Sequence, residues 1–213
     1  MRLFLATRND GKLAEMRRIL VAGVEVVGLD AVAPYDEPVE DRPTFEGNAL
    51  LKARAGLAAT GLPSVADDSG LCVDALNGMP GVLSARWSGP PKSDARNNDL
   101  LLAQLADVPD ERRGASFACA VAFCHPDGTE AVVRGEMRGR VVREVRGSGG
   151  FGYDVLFEAD EAPGVTTAEL TPADKDAISH RGKALREIGP LIAATLTGAG
   201  GGTRTRTPEG TET

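Results

Sequence analysis

Ser64-Val65-Ala66-Asp67-Asp68-Ser69-Gly70 begins as a short apolar run and breaks into two adjacent acids and a hydroxyl. That pattern reads as a buried strand delivering carboxylates to a rim. In an open α/β sheet, ligands bind in the crevice outside the carboxyl ends of the strands. Two neighbouring carboxylates repel, so such a site calls for a divalent cation. Mg2+ suits it, because it takes one or two carboxylates and fills its shell with water and substrate phosphates. The competing reading is an Asx turn in which Asp67 and Asp68 only lead into Gly70.

Upstream of that stretch, Leu3 to Ala6 reads as a strand. Asn9 or Asp10 then caps a helix with Leu13, Met16, Ile19 and Leu20 at helical spacing. Val24 to Val27 suits a second strand. A Pro- and acid-rich connection from Pro34 to Pro43 leads to a helix opened by Thr44, whose buried face is Phe45, Ala49, Ala53 and Leu57. Asn48 and Lys52 share a neighbouring face.

Downstream, the spacing predicts a Gly-rich loop over Asn77 to Gly81, a helix over Asp94 to Leu105, and a β-hairpin. The hairpin joins Ser116–Phe123 to Glu130–Met137 through His125-Pro126-Asp127-Gly128. Gly147 to Gly152 precedes a strand at Val155-Leu156-Phe157. Thr171-Pro172-Ala173-Asp174 starts one helix, and Ser179 caps a last one with Leu185, Ile188, Leu191 and Ile192 inward. Gly189-Pro190 is expected to kink or end it. Helix and strand alternate around one antiparallel hairpin, which predicts an α/β fold with a mixed sheet. Residues 1–197 are expected to form one domain. Residues 198–213, rich in Gly, Thr, Arg, Pro and Glu, are expected to form a disordered tail.

The formal net charge of -7 argues against a nucleic-acid polymer as partner, because such binding needs a basic footprint. A single nucleotide remains compatible, since its charge can be met locally by a metal and a few lysines. Cys72, Cys119 and Cys124 lie in apolar stretches without metal-site spacing and read as small core residues. The N-terminus turns polar at Thr7, too soon for a signal peptide, and no apolar run approaches the roughly 20 residues of a membrane span. A cytoplasmic protein with no membrane partner is expected.

Three further segments carry chemistry. Thr7-Arg8-Asn9-Asp10-Gly11-Lys12 lies between a strand and a helix, where a helix N-terminus and a lysine can hold phosphate. It lacks the Walker pattern, and an ordinary Asn/Asp/Gly turn is the alternative. Gly149-Gly150-Phe151-Gly152-Tyr153-Asp154 offers close backbone approach and a ring for stacking on a planar base. Its alternative is a turn with both aromatics in the core. Lys175, His180 and Arg181 read either as donors facing a ligand or as ordinary surface groups near a helix start.

In order along the chain, several segments resemble one family. They are Ala6-Thr7-x-Asn9-x-Gly11-Lys12, Thr44-Phe45-x-x-Asn48-Ala49-x-x-Lys52-Ala53, Ala66-Asp67-Asp68-Ser69-Gly70-Leu71 and Pro80-Gly81-x-x-Ser84-Ala85-Arg86. Gly149 to Asp154, Ala168-Glu169-Leu170, Lys175 and Ile178-Ser179-His180-Arg181-Gly182 complete the set. The family is that of the inosine/xanthosine triphosphate pyrophosphatases (the noncanonical purine NTP or dITP/XTP type). The resemblance implies Mg2+-dependent hydrolysis of a purine nucleoside triphosphate such as ITP, dITP or XTP to the monophosphate and pyrophosphate. It also implies an elongated mixed sheet, two lobes flanking the active-site cleft, and a homodimer.

Carried over by residue, Thr7, Arg8, Asn9, Asp10, Gly11 and Lys12 hold the phosphates. Glu40 and Asp68 serve the metal, with Asp68 as general base and Lys52 supporting the phosphate site. Ser69 contacts substrate, and Phe151, Gly152, Tyr153, Asp154, Lys175, His180 and Arg181 enclose the base. The chain departs from the family in having Arg8 where a small residue is common. Gly47 stands where Glu often precedes Asn48, with Glu46 one place earlier. Two rival functions are a pyrophosphatase with pyrimidine or modified-nucleotide preference, as in the septum-associated relatives, and a nucleotide sensor that does not turn over.

Overall fold

Central strands buried on both faces, with an alternating strand beside them, build the frame that carries the acid pair. The computed structural model describes residues 2–20 and 24–198, with Asp10 seen through its backbone alone; residues 199–213 of the expected tail lie outside the described residues. The strands β1 (Arg2–Leu5), β2 (Glu25–Val27), β3 (Ser64–Val73), β4 (Gly114–Cys124), β5 (Glu130–Val141) and β6 (Phe157–Ala159) lie in the order β2-β1-β3-β4-β5-β6. β1 is parallel to β2 and β3, and the other pairs are antiparallel. The expected mixed sheet is present, with the β4–β5 hairpin longer at both ends than the apolar pattern alone implied.

The helices are α1 (Asp10–Ile19), α2 (Phe45–Thr60), α3 (Asp94–Gln104), α4 (Pro172–Ile178) and α5 (His180–Thr197). On one sheet face Leu3, Leu5, Val65, Val121 and Phe123 pack against Met16 of α1 and Leu185, Ile188 and Ile192 of α5. On the other, Phe4 and the alanines 66, 118, 120 and 122 meet Phe45, Ala49 and Ala53 of α2. Small side chains let α2 lie close: a Cβ at Gly56 would stand 2.8 Å from the Phe4 ring. A third cluster, including Leu71, Leu101, Phe117, Met137 and Phe157, forms the core of a second lobe against α3. β3, β4 and β5 run through both lobes.

Several expectations require correction. The acid pair is not at a strand end, nor in a turn: Asp67 and Asp68 sit mid-strand, because all ten residues of β3 pair with β4. Gly70 continues the strand, and its missing Cβ admits the Gly81 carbonyl, which a Cβ would meet at 2.3 Å. The strand expected at 155–157 begins only at Phe157, since Asp154–Leu156 closes a 3-10 turn. α5 runs through Pro190 to Thr197, held on both sides of the proline by buried Ile188 and Ile192. Leu191, expected inward, is 40% exposed; it lies about 100° around the helix from the centre of the buried stripe. Cys119 and Cys124 are buried, Cys72 is half-buried, and all three are free thiols. No described helix is long and apolar enough to cross a membrane.

Candidate active site

Between the lobes lies a cavity of about 510 Å³. Thr7, Arg8, Asn9, Gly11 and Lys12 line it, with Glu40, Lys52, Asp68 and Ser69 beside them and Phe151, Gly152, Tyr153, Asp154, Lys175, His180 and Arg181 opposite. Of the residues singled out in the sequence, only Asp10 has no described side chain. Six Lys or Arg residues and five Asp or Glu residues line the cavity. Inside a chain of net charge -7 the cavity thus gathers cationic groups in one place, where they can meet a polyanionic ligand locally.

Strand geometry divides the acid pair, because successive side chains of a strand point to opposite faces. Asp67 turns toward α1 and α5 and is fully buried. Its Oδ2 meets Lys12 Nζ at 3.0 Å and accepts from Arg181 Nε and Nη2, both at 3.2 Å. Burial opposes its ionisation, yet Lys12 and Arg181 outweigh burial and hold the carboxyl well below the usual range. Asp68 turns toward α2. Its Oδ2 accepts from Asn48 Nδ2 at 3.0 Å and its Oδ1 from Ser69 N at 3.0 Å, with Lys52 Nζ at 3.9 Å. Here burial and the Glu40 charge prevail over Lys52 and Lys12, and the carboxyl is pushed above its ordinary value.

The acidic connection folds back to complete this side. Asn48 grips Arg42 through both Arg42 N (3.0 Å) and Arg42 O (3.3 Å), which brings Glu40 within 2.6 Å of Lys52 Nζ. Burial works against the Lys52 charge, but Asp67, Glu40 and Asp68 together raise its pKa, so it stays an ammonium. Among the described residues no three His, Cys, Asp or Glu side chains converge into a self-sufficient metal cage. Two carboxylates on one lysine, Glu40 and Asp68, nevertheless fit Mg2+, which keeps several waters and takes phosphate oxygens for the rest of its shell.

At the end of β1, Asn9 caps α1, its Oδ1 accepting from Lys12 N at 3.1 Å, and Asn9 N donates to Thr7 Oγ1 at 3.2 Å. Arg8 reaches over the mouth to Glu37 at 2.5 Å. Gly11 lies under the Phe151 ring, which a Cβ there would meet at 2.6 Å. The phosphate-type loop and the stacking loop thus touch.

The opposite wall differs from a simple row of donors. Lys175 is buried, with Nζ 2.6 Å from Asp154 Oδ2 and 3.1 Å from Glu15 Oε1. Arg181, 1% exposed, bonds Glu15, Asp67 and Ser69 Oγ. These bonds use four of its five N–H groups. His180 stacks on Phe117 at 4.9 Å between centroids. Burial and the Arg181 and Lys175 charges drive its pKa far down, so it is a neutral imidazole offering one donor and one acceptor. Phe151 is half-buried, with Lys175 Nζ 5.1 Å and Arg181 Cζ 5.8 Å from its centroid. Tyr153, by contrast, is buried with its hydroxyl donating to Ser84 O at 2.9 Å. Asp154 ties the loop by accepting from Phe151 N at 2.8 Å.

Sequence reasoning missed Glu15, which joins Lys175 to Arg181. The available signal was its position on the Lys12, Met16, Ile19 stripe of α1, where an acid has to be answered by buried cations. It also missed Glu37, Lys92, Asp94 and Phe117, which line the cavity from other segments. Glu46 pairs instead with Arg134 at the surface, at 3.2 Å.

Known proteins resemble the chain over this whole frame. The Ham1 family model matches residues 3–190. A Nocardia farcinica protein named dITP/XTP pyrophosphatase is 66% identical over 197 residues, covering 91% of this chain and 95% of its own. The crystal structure of a nucleoside-triphosphatase / dITP/XTP pyrophosphatase from Mycobacterium abscessus superimposes with a TM-score of 0.73 at 55% identity, covering 89% of this chain and 100% of that one. The Staphylococcus aureus Ham1 protein gives a TM-score of 0.80 at 36% identity, covering 94% and 100%. The resemblance drawn from the ordered motifs is borne out along residues 3–190, and the chain belongs to the Ham1 family.

Proposed function

We propose that the chain hydrolyses deaminated purine nucleoside triphosphates, ITP, dITP and XTP, to the monophosphate and pyrophosphate in a Mg2+-dependent reaction. One observation carries the reading: a single cavity joins a carboxylate–lysine cluster at Asp68, Glu40 and Lys52 to a half-buried ring, Phe151, backed by cations. The names of the relatives, dITP/XTP pyrophosphatase at 66% and 61% identity, support the same substrates. By the same family likeness we infer residues 1–197 as the catalytic unit and a homodimer as its assembly, in the cytoplasm where nucleoside triphosphates are made and spent.

Asp68 reaches the cavity beside Lys52, where its carboxylate can accept a proton from attacking water. Asn48 and Ser69 N orient its two oxygens. Lys52 and Lys12, both cationic lysines at the cavity wall, stabilise charge gathering on the leaving pyrophosphate. Mg2+ held by Glu40 and Asp68 would neutralise phosphate charge and acidify water. At the other end, hypoxanthine and xanthine carry an acceptor oxygen at position 6 where adenine carries an amino donor. The remaining Arg181 proton and the Lys175 ammonium favour the oxygen, and an amino group there leaves buried donors unpaired.

Pyrophosphate release from ITP, XTP, GTP, ATP and dTTP, with Mg2+ and with EDTA, tests the proposal. ITP and XTP should exceed ATP by ~10²-fold or more in kcat/KM, and EDTA should abolish turnover. A preference for dTTP would establish the pyrimidine alternative, and tight nucleotide binding without pyrophosphate would establish the sensor.

A further inference from the structure

The loop carrying Phe151 is held by the first two turns of α3, which packs in the same lobe. Gly152 N donates to Asp94 Oδ2 at 2.8 Å, and Gly152 O accepts from Asn98 Nδ2 at 3.0 Å. Asp94 and Asn98 are four residues apart and share one helix face, so together they grip both polar groups of a single residue. That residue has φ +62°, a left-handed conformation that favours glycine. With Gly149 and Gly150 beside it, the segment has much backbone freedom to lose. Gly149 N is tied to Ala168 O at 2.9 Å and Phe151 N to Asp154 at 2.8 Å, and the α3 contacts hold the residue between Phe151 and Tyr153.

Asn98 carries a second sign. It is 5% exposed, and its Oδ1 has no hydrogen-bond partner. Turning the amide over would set that oxygen against Gly152 O, so the grip and the orphaned acceptor come together. A buried unsatisfied group retained in a native fold asks for a reason, and here the grip supplies it.

We propose that Asp94 and Asn98 are positioning residues for nucleobase recognition. By clamping Gly152 they fix the Phe151 ring over Gly11, Lys175 and Arg181, and thereby set the site's affinity for a purine base. This rests on the nucleotide reading above and adds residues from a helix that carries none of the family-like motifs.

Calorimetric binding of IMP and of inorganic tripolyphosphate to the full chain separates base from phosphate recognition without needing turnover. Asp94→Ala should weaken IMP by about 10-fold while tripolyphosphate affinity does not fall. Asp94→Asn, which keeps an acceptor oxygen but loses the charge, should retain most IMP affinity. Asn98→Leu removes both the grip and the orphaned oxygen, so it should weaken IMP with no matching drop in Tm. Unchanged IMP affinity in Asp94→Ala and Asn98→Leu, or equal weakening of both ligands, overturns the clamp while leaving the nucleotide reading standing. Wild-type protein that binds tripolyphosphate but not IMP overturns the purine reading and the clamp with it.

Discussion

Asp67 and Asp68 are adjacent, identical in chemistry and both buried, yet the two faces of β3 give them opposite fates. On the α1/α5 face, Lys12 and Arg181 converge on Asp67, and its carboxylate is locked as a counter-ion. On the α2 face, Asp68 is held by an amide, a backbone N–H and one distant ammonium, with Glu40 nearby opposing its charge. The first environment is built to keep a charge; the second leaves a carboxylate able to take a proton. One side chain is tied into a buried ion cluster, and the other is left facing the cavity.

The sharpest way to break this contrast is to delete Asp67. Asp67→Ala leaves Lys12 and Arg181 without their shared counter-ion in a dry interior, and stability should fall by about 3–5 kcal/mol. Urea unfolding measures it; a loss under about 1 kcal/mol would mean that Glu15 alone satisfies Arg181.

Asp68→Asn should behave in the opposite manner. Turnover of ITP should drop by ~10²-fold or more, since an amide accepts no proton and ligates Mg2+ poorly. Unfolding should shift by no more than about 1 kcal/mol, because only one of the two hydrogen bonds to the side chain is lost. Retention of a tenth of wild-type kcat would remove Asp68 from the base role.

A subtler distinction lies in pH. The folded pKa of Asp67 is lowered, so its stabilisation is complete above the unfolded value and is lost as pH falls through the folded value. The folded pKa of Asp68 is raised, so its ionisation costs stability as pH rises through that folded value. The stability gap between wild type and Asp67→Asn should therefore narrow on acidification below about pH 4. Wild type relative to Asp68→Asn should instead gain. Parallel pH curves for the two variants would show that the faces do not differ.

Much of this was legible beforehand. The 3.6 and 2.0 periodicities located the helices and the hairpin, and capping residues such as Asn9, Thr44, Thr171 and Ser179 marked helix starts correctly. The Asn48–Lys52 spacing on α2 anticipated two of the groups around Asp68. What escaped was every feature that depends on sequence-distant partners. Glu15 reads as a surface acid until Arg181, 166 positions away, is seen against it. Tyr153 and Phe151 read alike, and only the Ser84 carbonyl separates a core tyrosine from a cavity-facing phenylalanine. The acid pair reads as a strand end because hydrophobic pattern alone gives no reason for a strand to continue through two charges.

Sequence by itself determined which elements form, in what order, and which residue types gather as motifs, because those follow from local sterics, side-chain period and capping. Tertiary structure alone decided which carboxylate is held as a counter-ion and which has its pKa raised. A pKa is set by the charges, donors and burial within a few ångströms, and at Asp67 and Asp68 those neighbours arrive from α1, α2, α5 and the 34–43 connection only when the chain has closed around β3.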